Sequence, residues 1–257
     1  MTEPDRITFT VVDAIAVITL DRRDVRNAID LPTAQALAAA LDRLDRAPDI
    51  RAGVLTGSGG IFSAGMDLKA FSATGERPLT ESRGPFGIVA RPPRKPLIAA
   101  VEGKALGGGF EIALACDLIV AARNSEFGLP EVTRGLIAAA GGVLRLPRRI
   151  PRNVAMELVL TGAPFSAARG QELGLVNRVV APGRALNESI VLAAAVAANA
   201  PLAVVTSKYL IDAAADWPAD VAFHYQAHYA DKVRNSQDAQ EGARAFVAKR
   251  TPQWTGT

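Results

Sequence analysis

Two periods of hydrophobic and polar positions alternate along the first half of the chain. "IAVITL" (15–20) is a short apolar run rich in β-branched residues, which predicts a strand. "LPTAQALAAALDRLDRA" (31–47) then spaces its apolar residues as a helix does, with Pro32 at an early helical position. The order repeats. "IRAGVLTG" (50–57) reads as a strand closed by "GSGG", and "AGMDLKAF" (64–71) starts a helix at Ala64–Gly65–Met66. "KPLIAAVEG" (95–103) is a third strand and "GGGFEIALACD" (107–117) the next helix. "DLIVAA" (117–122) is another strand, followed by "SEFGLPEV" (125–132) as an extended piece. Strand, glycine turn and helix thus recur three times at a spacing of roughly forty residues, which predicts stacked units rather than independent domains.

Beyond about residue 150 the pattern is mostly helical, through "NVAMELVLTG" (153–162), "SAARGQELGLV" (166–176) and two or three longer helices. The uncharged run "SIVLAAAVAANAPLAVVTS" (189–207) contains Asn199 and Pro201, so it predicts a buried helix ending before Pro201 rather than a membrane span. "SATGERPLTESRGPFG" (72–87) is the most polar and breaker-rich stretch and predicts a mobile loop beside a site.

Composition narrows the function classes. With 257 residues, 49% of them hydrophobic, the chain has ample apolar surface for a core. The net charge is only +3 and the arginines are scattered, apart from "RLPRRIPR" (145–152), so no basic face for nucleic acid is expected. Those arginines suit solvated loop and helix-start positions better than an anion site. Cys116 is the only cysteine, so no intrachain disulfide can form, which suits a reducing cytoplasm. Its apolar neighbours make it a core residue. "MTEPDRITFT" (1–10) lacks a basic region followed by an apolar stretch, so no signal peptide is expected.

The chemistry concentrates in "ALGGGFEIALACD" (105–117). Three glycines open an apolar helix, although glycine is costly inside one. A helix N-terminus offers unpaired N–H groups, and glycines there let another group approach the backbone closely. "GSGGIFSAGMDL" (57–68) has the same design, so two repeats are able to aim two backbone donors at one point, as an oxyanion hole does. The glycines alone fit close helix–strand packing equally well. Neither a dinucleotide fingerprint nor a phosphate loop is present: Ile112 stands where a third glycine is needed, and G-K-[ST] is missing. Two carboxylates change the balance. Glu111 lies in the helix's first turn, and Glu131 follows in the apolar "FGLPEV". A pair of glutamates in apolar surroundings beside two N–H donors makes a general acid/base couple, whereas each alone reads as an exposed or capping residue.

At these residues the chain resembles the crotonase superfamily, the enoyl-CoA hydratase/isomerase proteins. The resemblance runs through "IFSAGMDLKAF" (61–71), "KPLIAAVEGKALGGGFEIALACDLIVAA" (95–122), "FGLPEVTRGLIAAAGGVLRLPRRI" (127–150), "ELGLVNRVV" (172–180) and "EGARAFVAKR" (241–250). It implies an α/β fold, a crotonase-like spiral of ββα repeats over 1–190 that carries the active site. A C-terminal helical trimerisation region over 191–257 is implied as well. It also implies the N–H groups of Met66 and Gly108 as oxyanion-hole donors, and Glu111 and Glu131 as the catalytic glutamates. Ala64, Asp67 and Leu68 match the segment that lines the adenine and pantetheine of CoA, with Lys69 as a phosphate contact. Phe246 and Lys249 match positions that reach the CoA of a neighbouring subunit, and their spacing places them on one helix face.

Three departures stand out. Met66 replaces a more usual alanine, "GLIAAAGG" (135–142) lacks a proline, and "DRRDVRNAI" (21–29) matches only loosely. Arg22 and Arg26 therefore read as phosphate contacts or as plain surface charge. His224 and His228 stand four apart on an expected helix, but no glutamate follows His224 and no third ligand is evident, so they read as ordinary helix-face residues and no metal is expected.

The activity implied is hydration of a 2-enoyl-CoA without a separate cofactor, CoA being part of the substrate. Water held between the carboxylates attacks C3, Glu111 acts as base and Glu131 protonates C2. The expected partner is an acyl-CoA thioester, not nucleic acid or membrane, in a cytoplasmic homotrimer or dimer of trimers. The alternatives are a double-bond isomerase, a specialised dehydratase such as one acting on carnitinyl-CoA, or a non-catalytic CoA-thioester-binding member.

Overall fold

A computed structural model describes residues 6–257. The first five, part of the stretch read for a signal peptide, lie outside it. The chain opens with a hairpin, β1 (Ile7–Val12) and β2 (Ile15–Leu20), paired antiparallel. Helix α1 (Leu31–Arg46) follows, capped by the Asp30 side chain, which accepts from the Thr33 N–H at 3.0 Å. Next come β3 (Ala52–Gly57), α2 (Leu68–Thr74) and a two-residue hairpin, β4 (Leu79–Thr80) with β5 (Gly84–Pro85). Strands β6 (Leu97–Val101) and β7 (Lys104–Leu106) lead into α3 (Gly108–Ala115). Strands β8 (Leu118–Ala122) and β9 (Glu126–Gly128) are followed by a 3-10 turn, Pro130–Arg134. Then come α4 (Gly142–Arg149), α5 (Arg152–Thr161), β10 (Phe165–Ser166), α6 (Ala167–Glu172) and β11 (Arg178–Val180). Four helices close the chain: α7 (Ala185–Ala197), α8 (Pro201–Ala214), α9 (Ala222–Arg234) and α10 (Gln237–Val247).

Each repeat gives one strand to each of two sheets. The larger sheet runs β1-β2-β3-β6-β8-β11, parallel from β2 onward. The smaller holds β7, β9 and β10, and the 61–66 segment joins its edge through a parallel bridge between Ser63 and Ala105. A further parallel bridge links Ile29 to Met66. The result is four staggered strand–strand–helix turns where the sequence pattern showed three units. The second strand of a turn is at most three residues long, as in β7 and β9, and before α1 and α2 it is reduced to isolated bridges at Ile29, Ser63 and Met66, too short for a periodic signal.

The larger sheet is buried on both faces, so its central strands are apolar throughout. Along β6, Leu97, Ala99 and Val101 join the main core with α1 and α3, while Ile98 and Ala100 face Ala185 and Ala193 of α7. The expected boundary at residue 190 therefore falls inside a helix packed on the sheet. Arg51, just before β3, also donates to the carbonyls of Ala197 and Trp254, tying the C-terminal tail to the sheet. The run 189–207 bends by 107° between α7 and α8, just before Pro201. Among the described residues no single helix is long and apolar enough to cross a membrane.

The segment 72–87 is exposed over 72–77 and anchored further on, at Arg83. Arg83 is 1% exposed and pairs with Asp42 at 2.7 Å and Asp45 at 3.0 Å, both on α1. Cys116 is buried in the core and its thiol is pushed up to about 12 by burial. Three of the four arginines of 145–152 have structural partners. Arg149 donates to the Cys116 carbonyl, Arg148 pairs with Asp216, and Arg145 donates to the Val89 carbonyl.

Candidate active site

Each glycine of the 107–109 triplet faces a different neighbour. A Cβ on Gly109 would overlap the Ser63 carbonyl oxygen, and one on Gly108 would overlap the Phe86 ring. A Cβ on Gly107 would lie 3.1 Å from Glu131 Oε1. The triplet thus packs α3 at backbone distance from the 61–66 segment and leaves the Glu131 carboxylate against the turn. Gly65 completes the approach from the other side. Its φ is +87°, and a Cβ there would sit 2.7 Å from the amide nitrogen of Gly108.

Register explains how two N–H groups come to one place. Ser63 bridges Ala105 in parallel, and Met66 and Gly108 each lie three residues beyond their bridge residue. Met66 is flanked by two bonds to Ile29: the Ile29 N–H donates to the Gly65 carbonyl at 2.8 Å, and the Asp67 N–H donates to the Ile29 carbonyl at 2.9 Å. In such a parallel ladder the central residue's own N–H points away from that partner. Gly108 is the first residue of α3, whose opening N–H groups have no intrahelical acceptor. Neither N–H has an acceptor among the described residues. One feature of the helix differs from expectation. Helix α2 begins at Leu68, capped by Asp67, so Met66 presents its N–H from an extended segment and not from a helical turn.

Glu111 is 3% exposed in the first turn of α3. Its Oε1 accepts the Gly142 N–H at 2.9 Å, and the Ala140 backbone donates to it too. Burial pushes its carboxyl up to about 7, and the charge of Glu131 adds to the rise, against those backbone donors and the guanidinium of Arg145. Glu131 sits in the 3-10 turn that follows β9, rather than in an extended strand. It is half-buried, and burial raises its carboxyl above the usual range. Its Oε2 is buried without a hydrogen-bond partner among the described residues. Three rings brace the elements that carry both glutamates: Phe110 of α3, Phe127 of β9 and Phe165 of β10, with centroids 5.3 to 5.7 Å apart. Two acidic side chains in largely buried surroundings, with proton affinities raised and a pair of unused N–H donors near them, are equipped for acid/base chemistry on a polarised carbonyl compound.

Gly142 carries no signal of chemistry in the sequence, yet its amide orients Glu111. The only hint is the glycine pair of "AAAGG", which lets the loop deliver a backbone N–H just ahead of α4.

The other expected residues divide. Ala64, Leu68 and Lys69 are exposed along the segment next to Met66. Asp67 is buried, caps α2 at the Ala70 N–H and accepts from Arg22 at 3.0 Å, so its side chain is occupied structurally. Arg22 also bonds the Ala28 carbonyl and lies 3.0 Å from Asp30, so it braces the caps of α1 and α2. Phe246 is 85% exposed on α10. Lys249 is not on that helix: α10 ends at Val247, and Lys249 turns away with φ +51°, its N–H bonded to the Phe246 carbonyl at 3.2 Å. His224 and His228 are exposed on α9, and no group of residues suited to a metal occurs among the described residues.

The fold and this group of residues define an α/β protein built of ββα turns, with a carboxylate pair beside two backbone donors. A family profile described as enoyl-CoA hydratase/isomerase matches residues 10–257. The enoyl-CoA hydratase EchA19 of Mycobacterium tuberculosis is 42% identical over 242 residues, covering 92% of this chain and 91% of that one. A carnitinyl-CoA dehydratase of Salmonella paratyphi A is 41% identical over 252 residues, covering 94% of this chain and 95% of the other. A solved enoyl-CoA hydratase of Mycobacterium tuberculosis superposes with a TM-score of 0.96 at 51% identity, covering 99% of this chain and all of that one. The chain belongs to the enoyl-CoA hydratase/isomerase family and has the crotonase fold.

Proposed function

We propose that this protein is an enoyl-CoA hydratase that needs no separate cofactor. It adds water reversibly and syn across the 2,3 double bond of a 2-enoyl-CoA to give a 3-hydroxyacyl-CoA. The observation that carries this reading is the pairing of Glu111 and Glu131, both raised in proton affinity, beside the free amide of Gly108. The N–H groups of Met66 and Gly108 accept the growing negative charge on the thioester oxygen, which makes C3 electrophilic. Glu111 is the base. Its backbone donors favour the ionised form, and an affinity near neutral pH suits proton transfer. It takes a proton from the water that attacks C3. Glu131, whose Oε2 has no donor to hold it ionised, delivers a proton to C2.

The exposed segment at Ala64, Leu68 and Lys69 takes the CoA moiety. A homotrimer or dimer of trimers brings Phe246 and Lys249 of one subunit to the CoA of the next, and the exposure of the Phe246 ring supports such a contact. Reaction in H₂¹⁸O tests the assignment: one labelled oxygen at C3 of the product is expected, and isomerisation without label would overturn it. The dehydratase relative at 41% identity favours a second reading, dehydration of a specialised 3-hydroxyacyl-CoA. Loss of water from carnitinyl-CoA at a higher kcat/KM than from an unsubstituted 3-hydroxybutyryl-CoA would select it.

A further inference from the structure

Phe86 carries a feature that the reaction scheme leaves unused. It is a bulky residue in the left-handed region, φ +56°, where only glycine is comfortable, and it is 6% exposed. Its ring lies where a Cβ of Gly108 would be, with Cε2 2.7 Å and Cε1 3.1 Å from that point. Behind it, Gly87 is pressed so closely on α1 that a Cβ would overlap the Ala34 carbonyl oxygen. The backbone of Phe86 is held by its N–H bond to the Pro78 carbonyl at 2.7 Å. The segment is clamped on both sides of the ring by two arginines, its own Arg83 and Arg145 of α4. Arg83 bonds Asp42 and the Arg91 carbonyl, and Arg145, reaching over from α4, bonds the Val89 carbonyl at 2.7 Å. A continuous stack therefore runs from the α1 backbone through Gly87 and the Phe86 ring to the peptide of Gly108.

We infer that Phe86 is a positioning residue of this site: its ring, held in a strained backbone conformation, fixes where the Gly108 N–H meets the thioester oxygen. This rests on the hydratase reading for the identity of the ligand. A donor fixed in place before the substrate arrives needs no reorganisation as charge develops, and a misplacement of an ångström costs roughly a hundredfold in rate.

The test uses a conjugated dienoyl-CoA, whose absorption moves to longer wavelength when its carbonyl is polarised in the site. Phe86→Leu keeps most of the volume and loses the flat ring; Phe86→Ala removes it. Both are expected to lower kcat by about ten- to a hundredfold and to shrink the wavelength shift of the bound dienoyl-CoA, with KM changed less than about twofold. Gly108→Ala strikes the ring in the parent and finds room beside Phe86→Ala, so the double variant is expected to be less impaired than the product of the single effects. If Phe86→Ala does not fold, Phe86→Leu alone decides. Lowered Tm with kcat per folded molecule and the wavelength shift unchanged would overturn the inference. If the unaltered protein hydrates no enoyl-CoA but still shifts the dienoyl-CoA spectrum, the hydratase reading falls and Phe86 is still judged by the spectrum. If it shows neither, there is no hole for Phe86 to position, and the inference fails with it.

Discussion

The Gly142 N–H donates to Oε1 of Glu111 at 2.9 Å, across 31 positions of sequence. A backbone donor is the gentlest way to hold a buried carboxylate, because it adds no charge and cannot swing away. It does not offset burial fully, and the Glu111 carboxyl stays at about 7 against an ordinary 4.5. The folded chain therefore keeps a proton between about pH 4.5 and 7 that the unfolded chain releases, so stability falls as pH rises through that window. Above it the ionised carboxylate costs about 3 kcal/mol. Glu111→Gln still accepts from Gly142 and carries no charge. Its Tm should exceed that of the parent at pH 8, and the two should converge near pH 5. A Tm difference of the same size at both values would show that the Glu111 proton affinity is not raised by folding.

The contact between Gly65 and Gly108 gives a second expectation. Gly65→Ala places a methyl 2.7 Å from the Gly108 nitrogen and imposes φ +87° on a residue with a side chain. The two strands must part, and with them the two N–H groups. Turnover should fall roughly 10²–10³-fold, the loss expected for one oxyanion donor, while circular dichroism stays native. A folded Gly65→Ala protein with near-normal kcat would separate this contact from the reaction.

Arg83 offers a stability test away from the chemistry. Its guanidinium is buried against Asp42 and Asp45, and Arg83→Met leaves both carboxylates without it. Removing one partner of a buried ion pair costs about 3 kcal/mol, the low end of the usual range because Asp42 is partly exposed. Urea unfolding should show that loss, and an unchanged midpoint would mean that water replaces the pair freely.

The glutamates, the glycine triplet and the central strands were legible in the sequence for different reasons. Val54, Leu55, Ile98 and Ala99 lie in strands buried on both faces, so their runs are apolar without interruption. Strand β1 was not legible: "ITFTVV" is an edge strand whose residues are only half-buried or exposed. Strands β7, β9 and β10 are defined by their partners rather than by a period of their own. Gly142 and Phe86 escaped because one acts through a backbone amide and the other sits in a stretch rich in breakers. Asp67 stands in the segment read as ligand-lining, and the sequence did not show that its carboxylate serves a helix cap and Arg22. Lys249 was placed on a helix face by spacing, and the helix stops two residues earlier.

Phe246 and Lys249 test the shared-site proposal. A ring 85% exposed beside Val247 is costly in water and is better covered by a second subunit. Phe246→Asp should shift the protein to a smaller species on a sizing column. Lys249→Ala should raise KM for CoA esters several-fold with kcat unchanged, since phosphate contacts lie far from the double bond. A fully active monomer would remove both residues from the site.

The carboxylate pair decides the chemistry. Glu111→Gln and Glu131→Gln keep shape while removing acid/base function, and each should lower kcat by roughly 10²–10⁴. On the proposed mechanism the two act on one water, so the double variant should be far less impaired than the product of the single effects. KM should change little in any of them, because the proposed CoA segment lies apart from the two carboxylates. The acid limb of kcat/KM should lie near pH 7 in the parent, set by Glu111 acting together with Glu131, and should vanish in Glu111→Gln. An isomerase that shuttles a proton through one carboxylate behaves otherwise: one variant is nearly inactive and the other nearly normal. That pattern, together with product free of ¹⁸O, would exclude hydration. Strong losses in both single variants, a muted double, and label lost in step with rate are the results expected of a water molecule held between Glu111 and Glu131.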